Sequence, residues 1–298
     1  MRLRILSWNA CRLKRANIAL LGANALACNA DVVFIQESEL VNETFVQSHH
    51  SVLTAHYTLL PACCQNGVST WLRNALVPCI VQLRTDEAWQ VMLLRVDGFV
   101  VALANCHFPC LDKCRDRGPS LAEVVDGLES HLDELWSLQP WKNLVVAGDF
   151  NTELPTSTDV GPAVHTYMWD DRCEVVQQLA VKFGLQWSST FLSPTDYTHI
   201  HHCTKRCSTI DYMLHSCTSG TAGSILCSIR YDLCYDSDHM PILGELSMSS
   251  KRTSRTKGRP PRATLQLADF ACVNQFAALV EDSLDSSGSD SAGPHGLP

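Results

Sequence analysis

The sequence predicts a mixed α/β or α+β protein in which two β-sheets pack face to face with helices on the outside. Apolar, β-prone runs recur along the first 246 residues, and polar turn residues separate them. Segments with apolar residues at helical spacing interrupt these runs two or three times. Closely spaced strands with occasional helices between them are typical of such layered proteins.

The strands are predicted where short apolar or alternating runs end in polar turn residues. They cover residues 2–8, 31–36, 68–72, 88–96, 99–106, 144–147, 209–214 and 241–246. The clearest turn is Asp97-Gly98, because an Asp-Gly pair between two alternating runs favours a tight hairpin. Gly148 ends the sixth run, and two polar side chains, Asp149 and Asn151, follow at once.

Three helices are predicted between these strands. Residues 17–28 are rich in Ala and Leu, and residues 171–183 form a periodic segment that Gly184 ends. Residues 121–138 carry an apolar stripe at helical spacing, which predicts a helix with one buried face. The members of this stripe are Leu121, Val124, Val125, Leu128, Leu132, Leu135 and Trp136.

One change in composition predicts the domain organisation. The chain has 298 residues, with 46% hydrophobic and 18% charged residues, which is typical of a soluble globular protein with a sizeable core. Residues 1–248 are predicted to form the folded domain, and residues 249–298 a basic linker, a short amphipathic helix and a disordered tail. Six positive charges lie between Lys251 and Arg262. A solvated linker is the simpler interpretation, and a nuclear-import or phosphate-binding segment is the alternative.

The net charge and the absence of targeting signals limit the functions and compartments that the sequence allows. The net charge of −8 disfavours a protein that coats nucleic acid by bulk attraction, so a nucleic-acid ligand needs a local patch or a metal ion. No apolar run reaches the roughly 18 residues that a membrane span requires. The first residues lack the apolar core and the cleavage site of a signal peptide. Fifteen cysteines are therefore predicted to be mostly reduced and buried, in an intracellular protein for which the nucleus is one candidate compartment.

Polar side chains stand at the ends of the predicted strands at six places. One such residue is usually a turn or cap residue, and a lone histidine is usually structural. Six polar groups at the ends of apolar strands are more informative, because ligands bind at strand ends. The groups are Trp8-Asn9, Gln36-Glu37, Asn105-Cys106-His107, Asp149 with Asn151, Ile210-Asp211-Tyr212 and Ser237-Asp238-His239-Met240-Pro241.

The ordered motifs SWN, QES, HFP, GDFN, IDY and SDHMP resemble those of the endonuclease/exonuclease/phosphatase superfamily, which includes deoxyribonuclease I and exonuclease III. The resemblance covers about residues 1–246, and the segments IDYML and SDHMPI look most similar to endonuclease domains of non-LTR, LINE-type retrotransposons. It implies a four-layer sandwich of two packed mixed sheets flanked by helices. It also implies a Mg²⁺-dependent phosphodiesterase that nicks DNA, with a reverse transcriptase domain as a further partner.

Two other functions stay open on the sequence alone. One is a phosphatase or 3′-exonuclease that acts on RNA tails, nucleotides or other phosphate esters, because the loops that select the substrate cannot be interpreted from one sequence. The other is a catalytically decayed domain, retained as a binding module or as the relic of a mobile element. The complete set of core polar groups argues against decay.

The resemblance and the residue chemistry together give a metal site. A divalent cation can stabilise the phosphate and neutralise the leaving oxygen in phosphodiester hydrolysis. Glu37 is the best ligand candidate, because Mg²⁺ prefers hard carboxylate oxygens and takes few protein ligands. Asn9 can add an amide oxygen, and by resemblance Asp238 is the second carboxylate on the metal side. The expected ion is Mg²⁺, with Mn²⁺ as an alternative.

The resemblance also implies catalytic roles. Asp149 would orient or deprotonate the attacking water, and Asn151 would donate its amide to a phosphate oxygen. Residues i and i+2 of an extended segment face the same side, so one strand end can present both groups. His239 would contact the scissile phosphate, with Asp211 as the carboxylate that favours its charged form. His107 would protonate the leaving oxygen, and a purely structural histidine is the alternative.

Two of the departures from the superfamily pattern bear on the metal and on substrate contacts. Cys11 stands where many members carry Asn or Asp, and a thiol is a poor group beside Mg²⁺. Thr198-His199 stands where relatives often carry Thr-Trp, so a contact to a base or to the minor groove is not implied here. Neither departure removes a core catalytic group.

A second set of metal-ligand residue types lies in the segment HHCTKRC. His201, His202, Cys203 and Cys207 come together there. The spacing matches no known zinc motif, and the chain is rich in cysteine throughout. The sequence therefore favours an ordinary turn over a zinc site.

Overall fold

The computed structural model describes residues 2–13, 15–38, 55–60, 67–110, 119–154, 172–190, 196–217, 222–234 and 236–249. Contacts between Cα atoms divide the chain into the units Met1–Lys251 and Arg252–Pro298, and all described residues belong to the first. The predicted basic linker, amphipathic helix and tail lie outside the described residues, apart from residue 249, so the boundary at residue 248 stays a prediction. Of the helices in these ranges, none combines the length and apolar character that crossing a membrane requires.

Strands dominate the described ranges, and helices occur between them. The helices are α1 (Arg15–Ala27), α2 (Leu121–Leu138) and α3 (Arg172–Lys182). The strands are β1 (Arg2–Asn9), β2 (Val32–Ser38), β3 (Tyr57–Leu60), β4 (Gly67–Arg73), β5 (Ile80–Thr85), β6 (Trp89–Val96), β7 (Phe99–His107), β8 (Asn143–Asp149), β9 (Gln186–Trp187), β10 (His199–Ile200), β11 (Cys207–Ser208), β12 (Asp211–Cys217), β13 (Ala222–Ile229) and β14 (Ile242–Ser249).

Two six-stranded mixed sheets form the body of the unit. The first has the strand order β13-β14-β1-β2-β4-β3, and the second has the order β5-β6-β7-β8-β12-β9. The pairs β1–β2 and β7–β8 are parallel, and the other pairs in the two sheets are antiparallel. A separate two-stranded hairpin joins β10 to β11.

Three apolar clusters show how the layers pack. The central cluster lies between the two sheets and includes Phe34 of β2 and Leu103 of β7. A second joins Ile18 of α1 to the outer face of the first sheet, and a third joins Leu128 of α2 and Leu179 of α3 to the second sheet. Burying a side chain of this size contributes about 1.5–3 kcal/mol. The order helix, sheet, sheet, helix confirms the predicted four-layer sandwich.

Helix α2 begins and ends where the apolar stripe predicts, and six of the seven stripe residues are buried. At its first turn, Ser120 Oγ accepts a hydrogen bond from the Glu123 N–H, and the Glu123 carboxylate accepts one from the Ser120 N–H. The prediction was wrong for Trp136, which is 39% exposed. It comes one turn after Leu132, at the border of the buried face, so part of its ring stays accessible to solvent. Its ring packs edge-on against Trp141, with centroids 4.9 Å apart.

All eight predicted strands are present, each within three residues of its expected bounds. The predicted hairpin is also confirmed: Asp97 and Gly98 have left-handed φ angles of 50° and 79°, as a tight turn between twisted strands requires. The strands that the sequence missed are β3, β5, β9, β10, β11 and β13. β5 has no fully buried residue, so its sequence lacks a clear apolar alternation, and β9 to β11 have only two residues each.

The register of the strands brings the predicted site residues to one edge of the sandwich. The parallel pair β7–β8 places His107 opposite Asp149, and the antiparallel pair β12–β8 places Asp211 opposite the same Asp149. In the facing sheet, the parallel pair β1–β2 places Asn9 opposite Gln36. Residues that are distant in sequence are therefore neighbours at these strand ends.

His215 lies away from this edge, and its buried imidazole is expected to make the native state less stable at acidic pH. Its Nε2 lies 3.2 Å from Asn143 Oδ1, and burial lowers the pKa of His215 from 6.5 to about 4. Below pH 6.5 the unfolded chain binds a proton here that the native state does not bind, so the native state loses stability as the pH falls towards 4. Between pH 7 and pH 5 this group alone lowers the unfolding free energy by about 2 kcal/mol.

Urea unfolding of the wild type and His215→Gln at pH 7 and pH 5 measures this loss. The variant is expected to lose about 2 kcal/mol less than the wild type over the same interval. The exposed His56 offers a matched control, and His56→Gln is expected to keep the wild-type pH dependence. Equal losses in the His215→Gln variant and the wild type would contradict the assignment.

Candidate active site

His239 and Asp211 form a buried pair at the centre of the strand-end cluster. Nδ1 of His239 lies 2.9 and 3.1 Å from the two carboxylate oxygens of Asp211. His239 is 7% exposed and Asp211 4%. The backbone of His239 is held as well, since its carbonyl accepts a hydrogen bond from the indole of Trp8 and its N–H donates to Ser237 Oγ. The ring can therefore hold one orientation.

Electrostatics keep this imidazole charged. Burial by itself lowers the pKa of His239, but the carboxylates of Asp211, Asp149 and Asp238 outweigh it and raise the pKa to about 10. Burial also raises the pKa of Asp211, against the opposing effect of His239, and this second shift would favour a neutral carboxyl group. The two shifts thus disagree on where the proton resides. The surrounding carboxylates place it on His239, so Nε2 can donate a hydrogen bond at neutral pH.

Asp149 is fixed by amide donors from two strand ends. Asn9 Nδ2 donates to its Oδ2 at 2.8 Å, and the backbone N–H of Asn151 donates to its Oδ1 at 2.8 Å. The Asn151 side chain donates to Oδ2 at 3.1 Å and to the carbonyl of Phe108 at 2.9 Å. His239 Nε2 lies 4.0 Å from the same Oδ2. A 1% exposed carboxylate with this many donors has a defined direction for accepting a proton.

Glu37 and His107 lie on the neighbouring side of Asp149. His107 Nε2 is 3.7 Å from Glu37 Oε1 and 4.0 Å from Asp149 Oδ2. Glu37 has a left-handed φ of 51°, where the pairing of β2 with β4 shifts register. Such a backbone costs a residue with a side chain about 1–3 kcal/mol and is typical of functional sites. The bulge turns the Glu37 carboxylate towards His107.

His199 is a member of the cluster that the sequence did not single out. Its Nε2 lies 3.6 Å from Asp238 Oδ2, and its ring centroid is 4.8 Å from that of His239. Its Nδ1 lies 3.0 Å from Ser208 Oγ. The close contact with His199, together with the nearby His239, lowers the pKa of Asp238 to about 2. The one sequence signal was His199 in a position where relatives often carry Trp.

Thr198 supports the Asp211–His239 pair through backbone hydrogen bonds, a role that the sequence did not indicate. Its Oγ1 accepts hydrogen bonds from the backbone N–H groups of Ile210 and Asp211, both at 3.1 Å. Its backbone carbonyl accepts one from Met240 N. Thr198 therefore ties the strand that carries Asp211 to the segment that carries His239.

The donor chemistry of the cluster fits a hard divalent cation. The four carboxylates Glu37, Asp149, Asp211 and Asp238 surround three imidazoles, so negative charge remains in excess even with every ring protonated. Mg²⁺ prefers such oxygen donors. The side chains of Asp149, Asp211 and His239 come within 4.8 Å of one another, but an imidazolium is not a metal ligand, so this trio is the weaker choice.

The structure thus brings together all eight residues predicted for the site. A continuous series of contacts runs from Glu37 through His107, Asp149 and His239 to Asp238. Asn9 directs its amide nitrogen at Asp149, and its Oδ1 accepts a hydrogen bond from Cys11 N at 2.9 Å. The ligand roles of Asn9, Glu37 and Asp238 and the catalytic roles of the other five stay predictions.

Solved structures share this fold at low sequence identity. The AP endonuclease LMAP from Leishmania major is 15% identical, with a TM-score of 0.61, and the match covers 82% of this chain and 87% of that one. The endonuclease domain of TRAS1, a telomere-specific non-LTR retrotransposon, is 17% identical, with a TM-score of 0.54 and coverage of 83% and 98%. The human Nocturnin catalytic domain with bound sulfate is 18% identical, with a TM-score of 0.53 and coverage of 83% and 95%.

Sequence comparison gives the family directly. No curated protein sequence matches the chain significantly. The profile of the Endonuclease/Exonuclease/phosphatase family matches residues 6–239, which include all eight predicted site residues, with His239 as the last residue of the match. The superfamily resemblance inferred from the motifs is confirmed, and the chain belongs to the Endonuclease/Exonuclease/phosphatase family.

Proposed function

We propose that this protein is a Mg²⁺-dependent phosphodiesterase that nicks DNA. The observation that carries the proposal is the buried cluster at one edge of the sandwich, in which His239, paired with Asp211, lies 4.0 Å from the fixed Asp149 carboxylate. Membership of the family supports hydrolysis of a phosphate ester. The AP endonuclease and the TRAS1 endonuclease domain support an internal cut in DNA, since both have endonuclease in their names.

The proposed mechanism assigns a separate task to each side of the cluster. A bound Mg²⁺ would neutralise charge on the phosphate and on the leaving oxygen. Glu37 would hold it, with Asn9 and Asp238 as further ligand candidates. Asp149 orients the attacking water and takes its proton, because its other acceptor sites are occupied by amide donors.

His239 and His107 act on the phosphate and on the leaving group. His239 donates a hydrogen bond from Nε2 to a phosphate oxygen, and Asp211 holds the ring on its other side. Charge that grows on that oxygen in the transition state strengthens this bond, which is how such donors accelerate a reaction. His107 protonates the leaving oxygen as the ester bond breaks.

Incubation with supercoiled plasmid and Mg²⁺, with and without EDTA, tests the proposal. Nicked circles that form only without EDTA are the expected result, and the Asp149→Asn variant, purified in the same way, controls for contaminating nucleases. If the plasmid stays intact while short RNA or nucleotides are cleaved, the substrate is a different phosphate ester and not DNA. No hydrolysis of any of these substrates would indicate the decayed domain.

Removing the charge of Glu37 is expected to weaken the metal site. Glu37→Gln keeps the size of the side chain and loses a hard anionic ligand, so nicking at 1 mM Mg²⁺ should fall by about 10²-fold or more. Part of the activity should return at high Mg²⁺, because the lost affinity is compensated by concentration. Glu134→Gln, an exposed change on α2, is the matched control. Unchanged nicking at low Mg²⁺ would remove Glu37 from the site.

A leaving-group comparison separates the roles of His107. As a general acid, His107 should matter for DNA, whose alkoxide leaves poorly, and little for a bis(nitrophenyl) phosphate, whose nitrophenolate leaves without a proton. His107→Ala is expected to slow DNA nicking by about 10²–10⁴-fold and the nitrophenyl ester by less than about tenfold. His56→Ala is the control. Equal losses on the two substrates would leave His107 as a phosphate contact or a structural residue.

A further inference from the structure

A compact set of metal-ligand side chains lies on the β10–β11 hairpin, outside the cluster described above. His201, His202 and Cys203 follow one another in its turn, and all three are exposed. One ligand atom from each comes within 4.8 Å of the other two. Cys203 Sγ lies 3.0 Å from His202 Nε2. The rings of His201 and His202 stack, with centroids 5.3 Å apart.

The backbone of this turn is held in place by the hairpin. His201 N–H donates to the carbonyl of Arg206 at 2.8 Å, and Lys205 N–H donates to the carbonyl of His201 at 2.8 Å. Lys205 has a left-handed φ of 55°, which closes the turn. The guanidinium of Arg206 pairs with Glu153, which anchors one end. The three ligand atoms are therefore presented by a defined loop and do not depend on a long flexible segment.

We propose that His201, His202 and Cys203 form a binding site for a borderline-soft divalent cation such as Zn²⁺. Imidazole nitrogen and thiolate sulfur are the donors that Zn²⁺ prefers, and three protein ligands leave a fourth tetrahedral position for water. The trio contains no carboxylate, so it does not suit Mg²⁺, which takes oxygen ligands. Binding releases the Cys203 thiol proton to solvent, because the thiolate is the ligand.

One local contact bears on how strongly the site can bind a cation. Thr204 N–H donates to His201 Nδ1 at 3.2 Å. This hydrogen bond is lost in either mode of binding, because Nδ1 either binds the metal itself or takes the proton that Nε2 gives up. Cys207, the fourth residue that the sequence placed in this group, is not part of the trio. It lies on β11, in the same hairpin, and serves as a matched thiol.

The hairpin site is adjacent to the candidate active site without sharing a ligand with it. The ring centroid of His201 is 6.4 Å from that of His199, whose own centroid is 4.8 Å from that of His239. The two sites differ in donor type, with nitrogen and sulfur in one and oxygen in the other. They can therefore be loaded with different ions in the same sample.

Co²⁺ titration of the full chain in reducing buffer with excess Mg²⁺ tests the proposal independently of any nuclease activity. Co²⁺ bound to a thiolate has a charge-transfer absorption that Co²⁺ on oxygen ligands lacks. One equivalent of this absorption, displaced by Zn²⁺, is expected in the wild type and is expected to disappear in Cys203→Ser and His202→Gln. Cys207→Ser should keep it, as should Cys79→Ser, which removes a thiol elsewhere.

The comparison among variants distinguishes Co²⁺ bound at Cys203 from Co²⁺ bound at other cysteines. An absorption that survives Cys203→Ser and is lost in Cys207→Ser would move the site to a different thiol and overturn the assignment. The same absorption in every variant, or none in the wild type, would overturn it too. Circular dichroism of each variant without added metal is expected to match the wild type and checks that the substitutions leave the fold intact.

Discussion

Asp149→Asn is expected to lower kcat for DNA nicking by about 10²–10⁴-fold, the range that a general base contributes. An amide cannot take the proton of the attacking water. It also places an NH₂ group where Asn9 and Asn151 both donate hydrogen bonds to Oδ2. Leaving those donors unsatisfied should lower the unfolding free energy by about 1–3 kcal/mol.

Rate and stability therefore have to be measured on the same preparation. Single-turnover nicking at saturating Mg²⁺ gives the rate, and urea unfolding gives the free energy. Asp126→Asn, an exposed carboxylate on α2, is the control and should match the wild type in both. A folded Asp149→Asn protein with a rate within tenfold of the wild type would exclude Asp149 as the base.

Gly148→Ala is expected to have the largest effect on stability. The sequence predicted that this glycine ends its strand, but β8 continues through it to Asp149. Gly148 has a φ of 148°, and a Cβ atom there would lie 1.8 Å from the backbone carbonyl oxygen of Cys106 in β7. Because backbone in a central parallel pair cannot move aside, we expect a loss of about 4 kcal/mol or an unfolded protein.

A second glycine variant distinguishes the stability lost through steric crowding from the stability lost through backbone conformation. Gly98 also has a positive φ, 79°, but a Cβ there would meet nothing within 4 Å. Gly98→Ala should therefore cost only about 1 kcal/mol, from conformation alone. Urea midpoints of both variants measure the difference. Similar losses in the two would show that the close approach to Cys106 does not determine the cost.

The sequence predicted the sandwich because its strands and its long helix carry strong, local apolar patterns. The apolar stripe of α2 and the Asp97-Gly98 turn each identify an element without any tertiary information. β13 and β5 were missed because both are edge strands with several exposed residues, so their patterns are weak. Pairing with a neighbour, which local sequence does not encode, makes them strands.

The sequence predicted which residues belong to the candidate site, but it predicted few of the contacts between them. The ordered motifs identified Asp149, Asp211 and His239, and the structure places these residues side by side at one edge of the sandwich. The roles of Thr198 and His199 were not predictable, because each acts through residues that approach it only after the hairpin has folded. Side-chain distances between separate strand ends depend on register and bulges, as the left-handed φ of Glu37 shows.

The hydrogen bond from the Trp8 indole to the carbonyl of His239 spans 231 positions of the chain. Contacts of such sequence separation form late, because a long loop must close before they contribute. On the ribosome, the carboxylates at 37 and 149 emerge long before the imidazole at 239 is made. A nascent or prematurely released chain therefore carries an incomplete set of groups, and competence for the proposed chemistry arises only when almost the whole folded unit has been synthesised.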